Sequence, residues 1–176
     1  TPFTIPGAPT DLAGQAGNTQ VRLTWVEPAD NGGSTVLSYL VEYHDGDGLW
    51  QVYASPSAAS VVIDGSASYL VTGLTNGVHY RFRVAAVNAA ENGAYSDTAT
   101  TTPYTVPGAP TNLAGTSGAN TQVTLTWTAP ADNGGSSITD YTVQYSANSG
   151  SSWSTFTDGV SASTGATVTG LTNGTS

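Results

Sequence analysis

Residue types that do chemistry near neutral pH are scarce in this chain. His44 and His79 are its only histidines. Neither stands at a spacing from Ser and Asp that would build a nucleophile–base–carboxylate triad, so both read as surface histidines at strand ends. Cysteine is absent, which removes disulfides and thiolate metal sites together. Lysine is also absent, so no Lys–Asn isopeptide cross-link forms. Asp45-Gly46-Asp47-Gly48 has the opening of a calcium loop but lacks its third acidic position and distal Glu; it reads as a hairpin turn. These absences lead to the expectation of a protein that is not an enzyme and needs neither metal nor cofactor.

What remains is contact chemistry. Trp50 is a candidate for stacking on a sugar or a neighbouring domain, with edge-strand packing the plainer reading. Arg81 and Arg83 form an outward basic stripe that a cross-strand acid such as Glu42 is placed to neutralise. Three basic residues stand against twelve acidic ones, for a formal charge of −9. That balance disfavours phosphate-bearing partners, so neither nucleic acid nor an anionic membrane surface is expected. No apolar run approaches the roughly 18 residues of a membrane-spanning helix, so no membrane insertion is expected.

The elements that position these residues are written twice. PGAPTDLAGQAGNTQVRLTWVEPADNGGS, from Pro6 to Ser34, returns as PGAPTNLAGTSGANTQVTLTWTAPADNGGS, from Pro107 to Ser136. The interval of about 100 residues is that of a β-sandwich domain, not of a solenoid unit. Thr1–Pro9 likewise returns as Thr102–Pro110, so residues 1–5 are expected to end a preceding repeat, and the chain to be cut from a longer array. Domains are expected at 6–103 and 107–176, with a short, stiff Pro-Gly-Ala-Pro joint whose linker is 104–106.

Val21, Leu23 and Trp25 alternate with Arg22 and Thr24, the period of a half-buried strand. Tyr39, Val41 and Tyr43 repeat the pattern. Trp50, Val52 and Tyr53 suggest a shorter strand, Ser55–Gly65 is irregular, and Tyr69 and Val71 resume. Tyr80, Phe82, Val84 and Ala86 make the strongest strand, with turns expected at Asn76-Gly77 and Asn92-Gly93. Tyr95–Thr101 closes the unit. No stretch has a helical period, so an all-β antiparallel sandwich follows.

Residues 6–103 resemble a fibronectin type III domain, through Pro9, Trp25, Tyr39-x-Val41-x-Tyr43, Leu74-x5-Tyr80 and Arg83–Asn88. The resemblance implies a seven-stranded, immunoglobulin-like sandwich with Trp25, Tyr39, Val41, Leu74, Tyr80, Phe82 and Val84 in the core. It further implies that the Tyr80 hydroxyl bonds back to the backbone. The Asp-Asn-Gly-Gly-Ser turn is similar to bacterial and giant-muscle-protein members. The second copy matches through Trp127, Tyr141, Val143, Trp153 and Leu171, but has no equivalents of Tyr80, Phe82, Val84 and Ala86. Its sixth and seventh strands are therefore expected to be absent from this sequence. The expectation placed first is that the polypeptide is longer and supplies them itself. A strand donor is the second way to complete it, and a degenerate copy is the third reading. Trp153 matches Trp50 as a weak contact candidate.

Residues 89–94 carry no Arg-Gly-Asp, so that adhesion signal is missing. Asn173-Gly174-Thr175 satisfies the glycosylation sequon, although its counterpart Asn76-Gly77-Val78 points to a turn. Expected partners are neighbouring repeats or identical protomers, with a glycan as an alternative, at an extracellular or cell-surface location. The role expected first is a structural spacer, in a filament or sheath. Alternatives are an accessory region of a secreted polysaccharide-degrading enzyme and an adhesin.

Overall fold

The computed structural model describes residues 2–46, 48–63, 66–117 and 120–174. The chain divides into two compact units, Thr1–Thr105 and Val106–Ser176, each an antiparallel β-sandwich.

In the first unit, β1 (Thr10–Gly17), β2 (Gln20–Val26), β6 (Ser66–Thr72) and β5 (Val62–Ile63) form one sheet in that order. The other sheet runs β4 (Gln51–Ala54), β3 (Ser38–His44), β7 (Tyr80–Asn88) and β8 (Glu91–Tyr95), and β9 (Ala99–Thr101) also pairs with β7. Alternation decides what goes inside. Val21, Leu23 and Trp25 of β2 are buried while Arg22 and Thr24 are exposed. Tyr39 and Val41 of β3, with Phe82 and Val84 of β7, meet them from the opposite sheet. Trp25 and Tyr39 lock edge to face, with ring centroids 5.2 Å apart. Below them the Tyr80 hydroxyl accepts the Thr75 backbone N–H at 3.1 Å, tying the end of β7 to the turn before it.

Three local features depart from the sequence reading. Within the stretch expected to be irregular, Ala58–Val61 closes one helical turn, α1, and the two-residue β5 follows. Thr10–Gly17 has too few large apolar residues to announce a strand, yet the β2 ladder recruits it. Asn92-Gly93 is not a turn but lies inside β8. The reversal comes earlier, where the Asn88 carboxamide oxygen accepts the Ala90 N–H at 2.8 Å. Gly93 is needed for close approach instead, because a Cβ there would collide with the Pro6 carbonyl.

The second unit repeats the first in detail. β10 (Thr111–Ser117), β11 (Val123–Thr128) and β14 (Gly165–Val168) form one sheet; β12 (Val143–Tyr145) and β13 (Ser154–Phe156) form the other. The same bulge interrupts the first hairpin of each unit. Trp127 meets Tyr141 at 5.2 Å and 65°, as Trp25 meets Tyr39. Burial does not repeat. Trp25 is 2% exposed, Leu23 and Tyr39 are sealed, whereas Trp127, Leu125 and Tyr141 are only half-buried. Val143 is still buried, and Leu171 is half-buried. The described residues of this unit contain no counterpart of β7, the strand that covers that core in the first.

Candidate functional site

The outer face of the β4-β3-β7-β8 sheet carries a cluster of charged and aromatic side chains. Strand register builds it. Because Tyr39 and Val41 point inward, Glu42 and His44 fall on the other side of β3 or at its end. Register then sets Glu42 opposite Arg83, His44 opposite Arg81, and Arg81 opposite Thr100.

Arg83 is fully engaged. Its Nη2 lies 2.6 Å from a Glu42 carboxylate oxygen, to which Nε also donates at 2.8 Å. Its guanidinium carbon sits 4.2 Å from the Trp50 ring centroid and 3.8 Å from that of Tyr95. The cation is therefore held between two aromatic rings. Burial, with the Glu42 carboxylate next, raises the Tyr95 phenol above its ordinary value, and Arg83 partly offsets this. His44 meets Trp50 at 4.7 Å, nearly perpendicular. Its Nδ1 accepts the Gly46 N–H at 3.2 Å, so the neutral ring carries its proton on Nε2.

Arg81 is different. It is exposed, and no carboxylate among the described residues pairs with it. It lines an open cleft of about 660 Å³ together with His44, His79, Trp50, Thr98 and Thr100.

The two arginines of the sequence stripe thus separate: Glu42 neutralises Arg83 and leaves Arg81 available. Trp50 is half-buried beneath Arg83, while its counterpart Trp153 is 61% exposed. Of the two histidines read as surface residues, His44 is instead buried, 6% exposed, between Trp50 and the Gly46 N–H. His79 is exposed, with Nδ1 2.8 Å from the Thr102 hydroxyl. Asp45 is also exposed, and Asp47 lies outside the described residues. No group of three metal-ligating side chains occurs among the described residues. Asn173 uses its carboxamide oxygen on the Thr121 N–H at 3.1 Å, as Asn76 does on Thr19 at 2.8 Å; Thr175 of the sequon lies outside the described residues. The participant missed in the sequence was Tyr95. A register shift between β7 and β8 places it, and no alternation signals such a shift. The assembled face offers donors, a cation and ring surfaces suited to binding.

A second surface belongs to the other unit. Leu113, Leu125, Trp127, Tyr141 and Val143 line an apolar cleft of about 220 Å³, at the place where β7 packs in the first unit. At the opposite end of the first unit, the segment before β1 is gripped. Thr4 N–H donates to the Gly32 carbonyl and Gly7 N–H to the Asp30 carbonyl, both at 2.8 Å. The segment after β9 is held as well: Pro103 is fully buried and its carbonyl accepts the Gly77 N–H at 2.9 Å.

The sequence profile of the Fibronectin type III domain matches residues 7–102 and again 108–176. Among curated proteins, the chain is 35% identical over 144 residues to the mouse Receptor-type tyrosine-protein phosphatase F, covering 80% of this chain and 7% of that protein. It is 32% identical to chicken Protein sidekick-1, covering 73% of this chain and 6% of that one. It is 31% identical to Chitinase A1 of Niallia circulans, covering 80% and 20%. The chain spans a small part of each. These relatives include animal and bacterial proteins, so the similarity does not assign a source. Among solved structures, titin domains A168–A170 align at a TM-score of 0.50 and 26% identity, over 57% of this chain and 32% of that one. The FN1–FN3 domains of chicken CNTN1 align at 0.50 and 19% identity, over 93% and 56%, a likeness of fold alone. The repeated sandwich and the two profile matches together place this chain in the fibronectin type III family, as two tandem domains.

Proposed function

We propose that this chain is a non-enzymatic structural spacer of a secreted or cell-surface multidomain protein. In this reading it acts through contacts with neighbouring repeats or identical protomers, in an extracellular filament or sheath. The observation that carries the reading is how the flanking segments are held. Residues 4–7 bond to the 30–32 loop, and Pro103 is buried with its carbonyl engaged. In the second unit, Gly108 N–H donates to the Asp132 carbonyl at 2.9 Å, as Gly7 does to Asp30. Few residues are left free between such anchors, as a spacer that transmits orientation from repeat to repeat requires. A strand supplied by a neighbour is one way, beside the polypeptide's own continuation, of filling the apolar cleft of the second unit. Electron micrographs of the native protein test the proposal: regular fibres or elongated strings are expected, and isolated compact particles would refute it.

The similarity to Chitinase A1 favours one second reading, an accessory region of a secreted polysaccharide-degrading enzyme. A flanking domain with paired catalytic carboxylates, and hydrolysis of a glycan by the whole protein, would select it.

A further inference from the structure

We propose that the cleft around Arg81 binds an acidic sugar, the uronate residue of an oligosaccharide. The inference does not depend on the spacer reading.

The two repeats provide an internal comparison. Where the first has Glu42 and His44, the second has Gln144 and Ser146. Yet the second still pairs Gln144 with Thr155 and Tyr145 with Ser154, much as the first pairs Glu42 with Val52 and Tyr43 with Gln51. The hairpin therefore needs neither the acid nor the histidine. Their chemistry is dispensable for the fold and specific to one repeat.

Arg81 supplies the binding charge. Glu42 neutralises Arg83 and the two rings hold it in place, leaving Arg81 as the exposed guanidinium of this face without a carboxylate partner among the described residues. A guanidinium recognises a carboxylate through two parallel N–H···O bonds. The chain's charge of −9 and the exposed Asp45 at the rim repel a dense polyanion. A ligand with one well-placed carboxylate suits the cleft better.

The remaining lining favours a sugar. Thr98 and Thr100, both exposed, line the cleft with Arg81, and Trp50 forms an aromatic wall already stiffened by Arg83 and His44. Hydroxyl partners together with a ring surface match the alternating polar edges and C–H faces of a pyranose.

Titration calorimetry of the intact chain with a short neutral oligosaccharide carrying a single glucuronate, its carboxyl-reduced form and a peptide carrying a single glutamate and no other charge tests this. The glucuronate-bearing oligosaccharide is expected to bind. Affinity is expected to fall at least about tenfold with the carboxyl-reduced sugar and with Arg81→Ala. It should weaken with Thr100→Val, whose exposed site tolerates the change, and stay unchanged with Arg22→Ala on the opposite sheet. Absence of binding, equal binding to Arg81→Ala, or equally tight binding of the glutamate peptide would overturn the proposal.

Discussion

Asn88, at the end of β7, donates its carboxamide N–H groups to the Thr4 carbonyl at 2.7 Å and to the Asn31 carbonyl at 2.8 Å. It is 4% exposed, and its oxygen accepts the Ala90 N–H. One side chain thus ties the segment entering the domain, the 30–33 loop and the β7–β8 reversal together. Asn88→Ala removes three partly buried hydrogen bonds, to the Thr4 and Asn31 carbonyls and the Ala90 N–H, and should cost about 1–3 kcal/mol. A lowered Tm with faster amide exchange at Thr4 and Gly7 is expected; an unchanged exchange pattern would show the anchor to be redundant.

Glu42 and Arg83 are coupled through a partly buried ion pair. A double-mutant cycle with Glu42→Gln and Arg83→Ala should report an interaction on the order of 1 kcal/mol. Arg83→Ala alone should cost more than Glu42→Gln, since it also removes the cation from between Trp50 and Tyr95. Urea denaturation of the four proteins measures both effects.

Trp25 is sealed in the first core, edge to face with Tyr39. Trp25→Ala should destabilise the first domain by roughly 3–5 kcal/mol, as expected for a large core residue. Urea denaturation followed through the fluorescence of the remaining tryptophans measures this, and a loss below about 1 kcal/mol would be the contrary result.

Burial, followed by the Glu27 carboxylate that accepts the Tyr39 hydroxyl at 3.1 Å, raises the Tyr39 phenol well above its ordinary value. Below pH about 10, tyrosine is protonated in both folded and unfolded chains, and its contribution to stability is constant. Above that pH the unfolded chain ionises first, so stability should fall as pH rises. Tyr39→Phe should flatten this alkaline decline. Phenolate absorbance should show Tyr39 ionising together with unfolding, not before it.

The sequence by itself determined the class, the repeat and most of the core. Alternation at Val21-x-Leu23-x-Trp25 and Tyr80-x-Phe82-x-Val84 has a period of two, and only a two-faced strand satisfies it. It also held the pairing of Glu42 with the β7 arginines as an expectation. What only tertiary structure decided depends on register and on contacts distant in the chain. Tyr95 reaches Arg83 through a shift in the β7–β8 ladder. Gly93 is glycine because Pro6 passes over it, so the Asn-Gly turn signal was overridden by packing. Hydrophobic pattern is written locally; burial belongs to whichever strand arrives from elsewhere.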